Sequence, residues 1–145
     1  MTLLLLFPQA GCTALHLACK EGYTEAVDVL LQYSAPIAAC NKGRTPLHEA
    51  AKKGNTLIVK ALLGAGAYKD AADNVGNTPL HDAAKYGHSE VIQALLAKKA
   101  DTDATDKGHW KPLHLACLDG DFDRVKELLP DTPVDVAGKV KTQSG

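Results

Sequence analysis

One line of residues recurs four times in this chain at a nearly fixed interval. A Leu–His pair stands at Leu15–His16, Leu47–His48, Leu80–His81 and Leu113–His114, at intervals of 32, 33 and 33 residues. Seven residues after each leucine comes a glycine: Gly22, Gly54, Gly87 and Gly120. Fifteen residues after it comes a leucine pair: Leu30–Leu31, Leu62–Leu63, Leu95–Leu96 and Leu128–Leu129. An internal register with a period near 33 marks stacked repeats rather than one globule. It limits the fold to units that cover one another.

The third copy, "GNTPLHDAAKYGHSEVIQALL" at 76–96, shows what each unit encodes. Thr78 can cap a helix with its hydroxyl, and Pro79 then takes the first helical position, where its missing N–H costs nothing. Leu80, Ala83 and Ala84 fall at i, i+3 and i+4 and make one apolar stripe. The two alanines let neighbouring helices approach closely. Gly87 supplies the left-handed residue that ends the helix. Ser89 to Ala97 predicts a second helix with Val91, Ile92, Leu95 and Leu96 buried. Helices this short are marginal in isolation. Stability must therefore come from packing within each unit and against the next. Polar connectors such as "AGAYKDAADNVGN" (65–77) carry turn residues and read as extended, hairpin-like projections.

The tetrapeptides Thr45-Pro46-Leu47-His48 and Thr78-Pro79-Leu80-His81, at this spacing, resemble the ankyrin repeat. The resemblance covers residues 11 to about 138. It implies an all-α repeat solenoid of four ankyrin repeats, elongated and slightly curved. Each repeat would be a helix-turn-helix plus a β-hairpin finger. The implied division is repeats at 11–42, 43–75, 76–108 and 109–138, after an apolar leader at 1–10 and before a polar tail at 139–145. It also implies that each of the four recurring imidazoles hydrogen-bonds near the threonine and the neighbouring backbone, and that the domain is a rigid surface for binding other proteins. Family members often carry an asparagine open to hydroxylation in the slot held here by Ala38, Asp70, Asp103 and Asp135, so that modification is not expected there.

The chain departs from the pattern at several points. Ala14 replaces proline in the first repeat, and Lys111 replaces the capping threonine in the fourth. His109 takes a glycine slot, with Gly108 one residue early. Ser34 and Lys99 stand where Gly66 keeps the glycine after the second helix. A left-handed backbone at these two would be mildly strained. The leader "TLLLLF" either folds over the open edge of the first repeat or takes no part in the fold. Its apolar run is only five residues with no basic residue ahead, so it does not read as a signal peptide. The tail is either frayed or the start of a further repeat.

Composition narrows the function. Among 145 residues the formal net charge is −1, which argues against nucleic-acid binding by bulk charge. No stretch approaches the roughly 18 apolar residues of a membrane span. The cysteines, Cys12, Cys19, Cys40 and Cys117, form no C-x-x-C pair and read as free thiols in a reducing compartment. A soluble intracellular chain, in the cytoplasm or nucleus, is expected.

The four histidines do not make a metal centre. Stacked helices lie about 8–10 Å apart, whereas zinc needs each nitrogen within about 2.1 Å. "HLAC" pairs His16 with Cys19 and His114 with Cys117 at i, i+3. Those cysteines, however, occupy the slot of Ala51 and Ala84 and read as small buried apolar residues. No G-x-S-x-G elbow, P-loop or dinucleotide fingerprint occurs. Neither an enzyme nor a cofactor is expected.

The positions left free are the ends of the first helices and the finger tips, which the resemblance makes the binding face. On the helices these are Lys20 and Glu21, Lys52 and Lys53, Lys85 and Tyr86, Leu118 and Asp119. On the fingers they are Asn41, Lys42 and Arg44; Asn74, Val75 and Asn77; Lys107, His109 and Trp110. Aromatic residues favour interface anchoring and charges add steering. The expected partner is a protein segment carrying acidic groups and an apolar anchor, bound by a monomeric adaptor or occluding inhibitor. The competing readings are a targeting fragment of a larger protein, and a nucleic-acid binder using the lysine row.

Overall fold

The computed structural model describes residues 12–38 and 42–129. Eight helices occur among them, in four antiparallel pairs: α1 (Ala14–Glu21) with α2 (Thr24–Gln32), α3 (Pro46–Lys53) with α4 (Thr56–Gly64), α5 (Pro79–Tyr86) with α6 (Ser89–Ala97), and α7 (Pro112–Leu118) with α8 (Phe122–Leu128). First helices pack in the order α1–α3–α5–α7, and second helices in the order α2–α4–α6–α8. The result is an elongated two-layer stack with no contact needed between distant repeats. The leader and tail, Cys40, Asn41 and Asp135 lie outside the described residues.

The core is one ribbon between the two layers. Leu15, Leu47 and Leu80 are fully buried, as are Leu62 and Leu95 of the second row. Leu96 is only half-buried, because the second leucine of each pair lies at the margin of the ribbon. Ala50, Ala51, Ala83 and Ala84 are completely enclosed between first helices, where a larger side chain would push the rows apart.

Each helix start is built from threonine and histidine together. The hydroxyls of Thr13, Thr45 and Thr78 accept the backbone N–H of His16, His48 and His81, each at 3.3 Å. In return each imidazole Nδ1 accepts the threonine N–H, at 3.2, 3.0 and 3.1 Å. This is a capping box with imidazole in the role usually taken by a Glu or Gln side chain. Since Nδ1 accepts, the ring proton sits on Nε2. It is donated to the finger of the following repeat: His16 to Arg44 O at 2.9 Å, His48 to Asn77 O and His81 to Trp110 O at 2.8 Å. Burial is the main cause holding all three imidazoles below their usual pKa, which suits a neutral ring. In the fourth copy the described residues show a different start. Lys111 offers no hydroxyl, so the His114 N–H bonds back to Lys111 O at 2.9 Å, while Lys111 N–H still reaches His114 Nδ1 at 2.8 Å.

The fingers are shorter than β-hairpins: no strand occurs among the described residues. Asp73 closes a five-residue loop, its N–H bonding Asn77 O at 2.9 Å and its Oδ1 accepting the N–H groups of Val75 and Asn77. Asp106 repeats this toward Gly108 and Trp110. One cross-loop pair leaves no length for a ladder. Adjacent fingers are instead tied sideways, Asn74 N–H to Lys42 O at 3.1 Å and Lys107 N–H to Val75 O at 2.9 Å. The loops lie so close that a Cβ on Gly76 would stand 2.8 Å from Asp106 Cα. His109, in the corresponding glycine slot, adopts φ 65°, and Ser34 and Lys99 adopt 58° and 62°. The left-handed backbone considered for Ser34 and Lys99 is present at both, and His109 shares it.

Candidate functional site

Three of the sequence-selected residues come together at the C-terminal ends of the first helices. Tyr86 ends α5 with its ring 44% exposed. Lys52, on the neighbouring α3, brings its ammonium to 5.4 Å from the ring centroid, and Lys85 brings its own to 5.5 Å. The repeat register does this, since Lys52 and Lys85 occupy the same slot on adjacent helices. Cation–π attraction holds both charges beside an apolar surface without neutralising them. Lys53 and Lys20 are exposed along the same row.

A second group lies at the other end of the helices, on the fingers. Asn74 and Val75 are exposed at the tip of one finger, His109 at the tip of the next, and Asn77 is half-buried. The Trp110 ring meets the His114 ring edge-on at 6.0 Å and remains 41% exposed, so it is not packed beneath its finger. An eight-residue helix is about 12 Å long, so the two groups do not touch. An extended chain of about four residues would bridge them.

Leu118 and Asp119 close the row. Leu118 is 66% exposed, and the Asp119 carboxylate accepts from Arg124 Nη1 at 3.2 Å. Cys117 departs from expectation: it is exposed, whereas Ala84 and Cys19 in the same slot are buried. No described repeat packs on its outer side. Cys19, by contrast, is enclosed, and burial pushes its thiol up to about 12.

Arg44 has a different role from the one its position suggests. Its guanidinium bonds Glu49 at 2.8 Å, Asp73 at 3.0 Å and Asp82 at 2.9 Å. All three of its nitrogens are therefore engaged in tying a finger to α3 and α5. Desolvation lowers the Arg44 pKa, but Asp82 and Glu49 outweigh it and the group is held above its usual range. Asp82 is buried, and desolvation pushes its carboxyl up to about 6 despite the arginine. Sequence reading missed this cluster, although one signal was available: Glu49 and Asp82 fill a slot that holds Leu17 and Leu115 in the outer repeats.

Arg124 was missed as well. It fills the slot of Ile58 and Val91, is buried, and donates to Ala84 O at 2.8 Å at the end of α5. There its charge meets the negative end of a helix. Asp121 accepts from its Nε at 2.9 Å. Among the described residues no group of three or more His, Cys, Asp and Glu side chains could hold a metal, and no helix is long and apolar enough to cross a membrane.

The repeat geometry agrees with sequence comparison. The family model for ankyrin repeats (3 copies) matches residues 2–73 and 65–139. The chain belongs to the ankyrin repeat family. Ankyrin repeats form protein–protein interaction modules and are generally non-catalytic. Its relatives include the ADP-ribosylation factor GTPase-activating protein AGD2 of Arabidopsis thaliana, 41% identical over 64 residues, which are 43% of this chain and 8% of that protein. The inactive serine/threonine-protein kinase TEX14 of Bos taurus is 49% identical over 57 residues, 39% of this chain and 4% of the kinase. Protein phosphatase 1 regulatory subunit 27 of Mus musculus is 40% identical over 65 residues, 44% of this chain and 42% of the subunit. The match thus spans less than half of each of these relatives, and in two of them a tenth or less.

Proposed function

We propose that the face formed by the first-helix ends and the finger tips binds a protein segment with acidic groups and an apolar anchor. On this reading the chain is a monomeric, non-enzymatic intracellular adaptor or occluding inhibitor. The observation that carries it is Tyr86 flanked by Lys52 and Lys85 at 5.4 and 5.5 Å, half-exposed. An apolar ring with two ammonium groups beside it suits an apolar side chain next to carboxylates. Trp110 and Val75 offer further apolar contact on the finger side. The ankyrin repeat division at 11–42, 43–75, 76–108 and 109–138 belongs to the same reading. So does the assignment of 1–10 and 139–145 as segments outside the stack.

The test compares affinity capture from lysate by the wild type and by a Lys52, Lys53, Tyr86 and Trp110 quadruple alanine variant. Loss of the captured proteins with nearly unchanged thermal unfolding supports this face, and unaltered capture rejects it. A second reading has its own support. The AGD2 and TEX14 relatives are mostly made of sequence this chain does not match. Here the repeats serve as the targeting part of a larger protein whose activity lies elsewhere, with the same face used for recognition.

A further inference from the structure

The back of the stack carries a groove that the face described above does not use. It runs along the seam between α4 and α6, from Thr56 and Glu90 at one end to Leu63 and Lys98 at the other. Its three hollows, taken from the Thr56 end, measure about 390, 300 and 290 Å³ and share lining residues, so they form one continuous trough. The floor is apolar, made of Leu63, Ala94 and Ala97 with the bare backbone of Gly64. The trough opens beyond the Thr56 end, where the Thr56 hydroxyl donates across the seam to Glu90 Oε2 at 3.5 Å; the neighbouring seam between α6 and α8 is crossed by Gln93 Nε2 donating to Glu127 Oε1 at 2.8 Å.

Two features make this trough more than a gap. Lys60 stands on one bank and Lys98 on the other. Neither forms an ion pair among the described residues, whereas Lys69 at the far end is neutralised by Asp70 at 2.6 Å. Two cations without an ion pair among the described residues therefore flank the apolar floor, with the Glu90 carboxylate standing apart at the Thr56 end. The second feature is Gly64. It is the last residue of α4, its φ is not positive, and a Cβ there would meet nothing within 4 Å, so the floor at this point is bare backbone with open space above it. The same slot holds Gln32 and Ala97 in the adjacent second helices.

We propose that the α4–α6 groove docks a short amphipathic helix of another protein, whose carboxylates pair with Lys60 and Lys98 while its apolar stripe lies over Gly64 and Ala97. Charge complementarity selects an acidic segment. Helix is selected over extended chain because both banks are α-helices with their own backbone groups paired. They offer no strand edge, and an extended segment would leave its N–H and C=O groups without partners at the contact. A bare glycine floor lets a helix approach closely. This inference is independent of the lysine–tyrosine face. Together, two faces on opposite sides would make the chain a bridge between two proteins rather than a plug for one.

The probe is a synthetic peptide of about fourteen residues, long enough to lie along nine-residue helices. Leu and Ala occupy i, i+3, i+4 and i+7, with Glu on both flanks. Its counterpart carries Lys in place of Glu. Fluorescence anisotropy measures the binding of each to the full chain. The Glu peptide should bind, and should weaken about tenfold or more, equivalent to about 1.4 kcal/mol, on the groove-filling variant Gly64→Gln/Ala97→Gln. Lys60→Glu/Lys98→Glu should lose the Glu peptide and gain the Lys peptide. Tyr86→Ala should bind the Glu peptide like the wild type. Circular dichroism confirms that each variant is folded, and glutamine at both sites is compatible with a helix. Equal binding of the Glu peptide to wild type and filled variant would overturn the proposal. So would binding of neither peptide, or a concentration-dependent dimer of the wild type that the filled variant abolishes, which would make the occupant a second copy of this chain.

Discussion

Replacing His48 and His114 separately by alanine isolates what the recurring imidazole does. The two residues occupy the same place in the repeat but not the same surroundings. His48 is fully buried, accepts the Thr45 N–H at 3.0 Å and donates to Asn77 O at 2.8 Å. Its removal orphans the buried Thr45 donor, leaves Asn77 O with only the Asp73 N–H, and empties the space of a ring. An orphaned buried group costs about 1–3 kcal/mol, and the vacated volume adds to this. The expected loss for His48→Ala is about 3–5 kcal/mol. His114 is half-buried, and among the described residues its ring is held by the Lys111 N–H at 2.8 Å and the edge of Trp110. Water can reach the groups it leaves, so about 1 kcal/mol is expected for His114→Ala. Urea unfolding followed by helix circular dichroism reads both. His48→Ala should also broaden the transition, because its Nε2 bond couples the second repeat to the finger before the third, and a stack is only as cooperative as its neighbour contacts. Equal losses for the two variants, or a loss under about 1 kcal/mol for His48→Ala, would refute the bridging role.

Acid should unfold the protein through the same rings. The folded pKa of His16, His48 and His81 lies below 6.5, so the stability they contribute is full above that value and lost as pH falls through their depressed values. Asp82 acts with the opposite sign: its folded value of about 6 lies above 3.8, so its contribution is full below 3.8 and lost as pH rises through 6. Asp82→Asn should therefore be more stable than wild type at neutral pH, by about 1–3 kcal/mol, and lose stability more steeply between pH 6 and 4, as pH-dependent urea midpoints would show. Gly76→Ala, which combines φ 84° with a Cβ only 2.8 Å from Asp106 Cα, should cost more than about 2 kcal/mol. Gly66→Ala, with φ 95° and open space, should cost only the backbone term of about 1–2 kcal/mol. Lys99→Gly should raise stability by about 1 kcal/mol, since φ 62° is strained for lysine. Thermal melts of the three variants rank these effects.

What could be read from sequence was what is local or periodic. Thr78, Pro79 and Gly87 act within their own helix, so their roles follow from spacing alone. Ser34, Lys99 and His109 were recognisable because each stands where the register calls for a glycine. The meeting of Lys52 with Tyr86 was legible for the same reason: one translation brings one slot beside the next. Arg44 was misread because its partners, Asp73 and Asp82, lie 29 and 38 residues away and belong to no repeated pattern. An exposed-looking arginine at a finger base carries no local mark of being enclosed by three carboxylates. Cys117 was misread for a converse reason, since a slot predicts burial only where another repeat covers it.

The stack has a physical use for most of its unusual residues, and this separates them from the rest. His109, Ser34 and Lys99 are the cost of imperfect repetition, spread across three loops. Arg124 fills an apolar slot yet satisfies a helix end with a 2.8 Å bond to Ala84 O. Arg44 fastens a finger. The Lys52–Tyr86–Lys85 group and Gly64 are not accounted for in this way. Two like charges drawn to one ring repel each other, and the cation–π gain at an exposed site, about 0.5–1 kcal/mol, does little more than offset that. Gly64, the last residue of α4, has no neighbour that requires its missing side chain. Neither feature is called for by the packing of the chain itself. They also lie on opposite sides of the stack, one on the first-helix row and one on the second. A chain that binds at both would be expected to hold two partners at once, with the rigid rows between them fixing their separation.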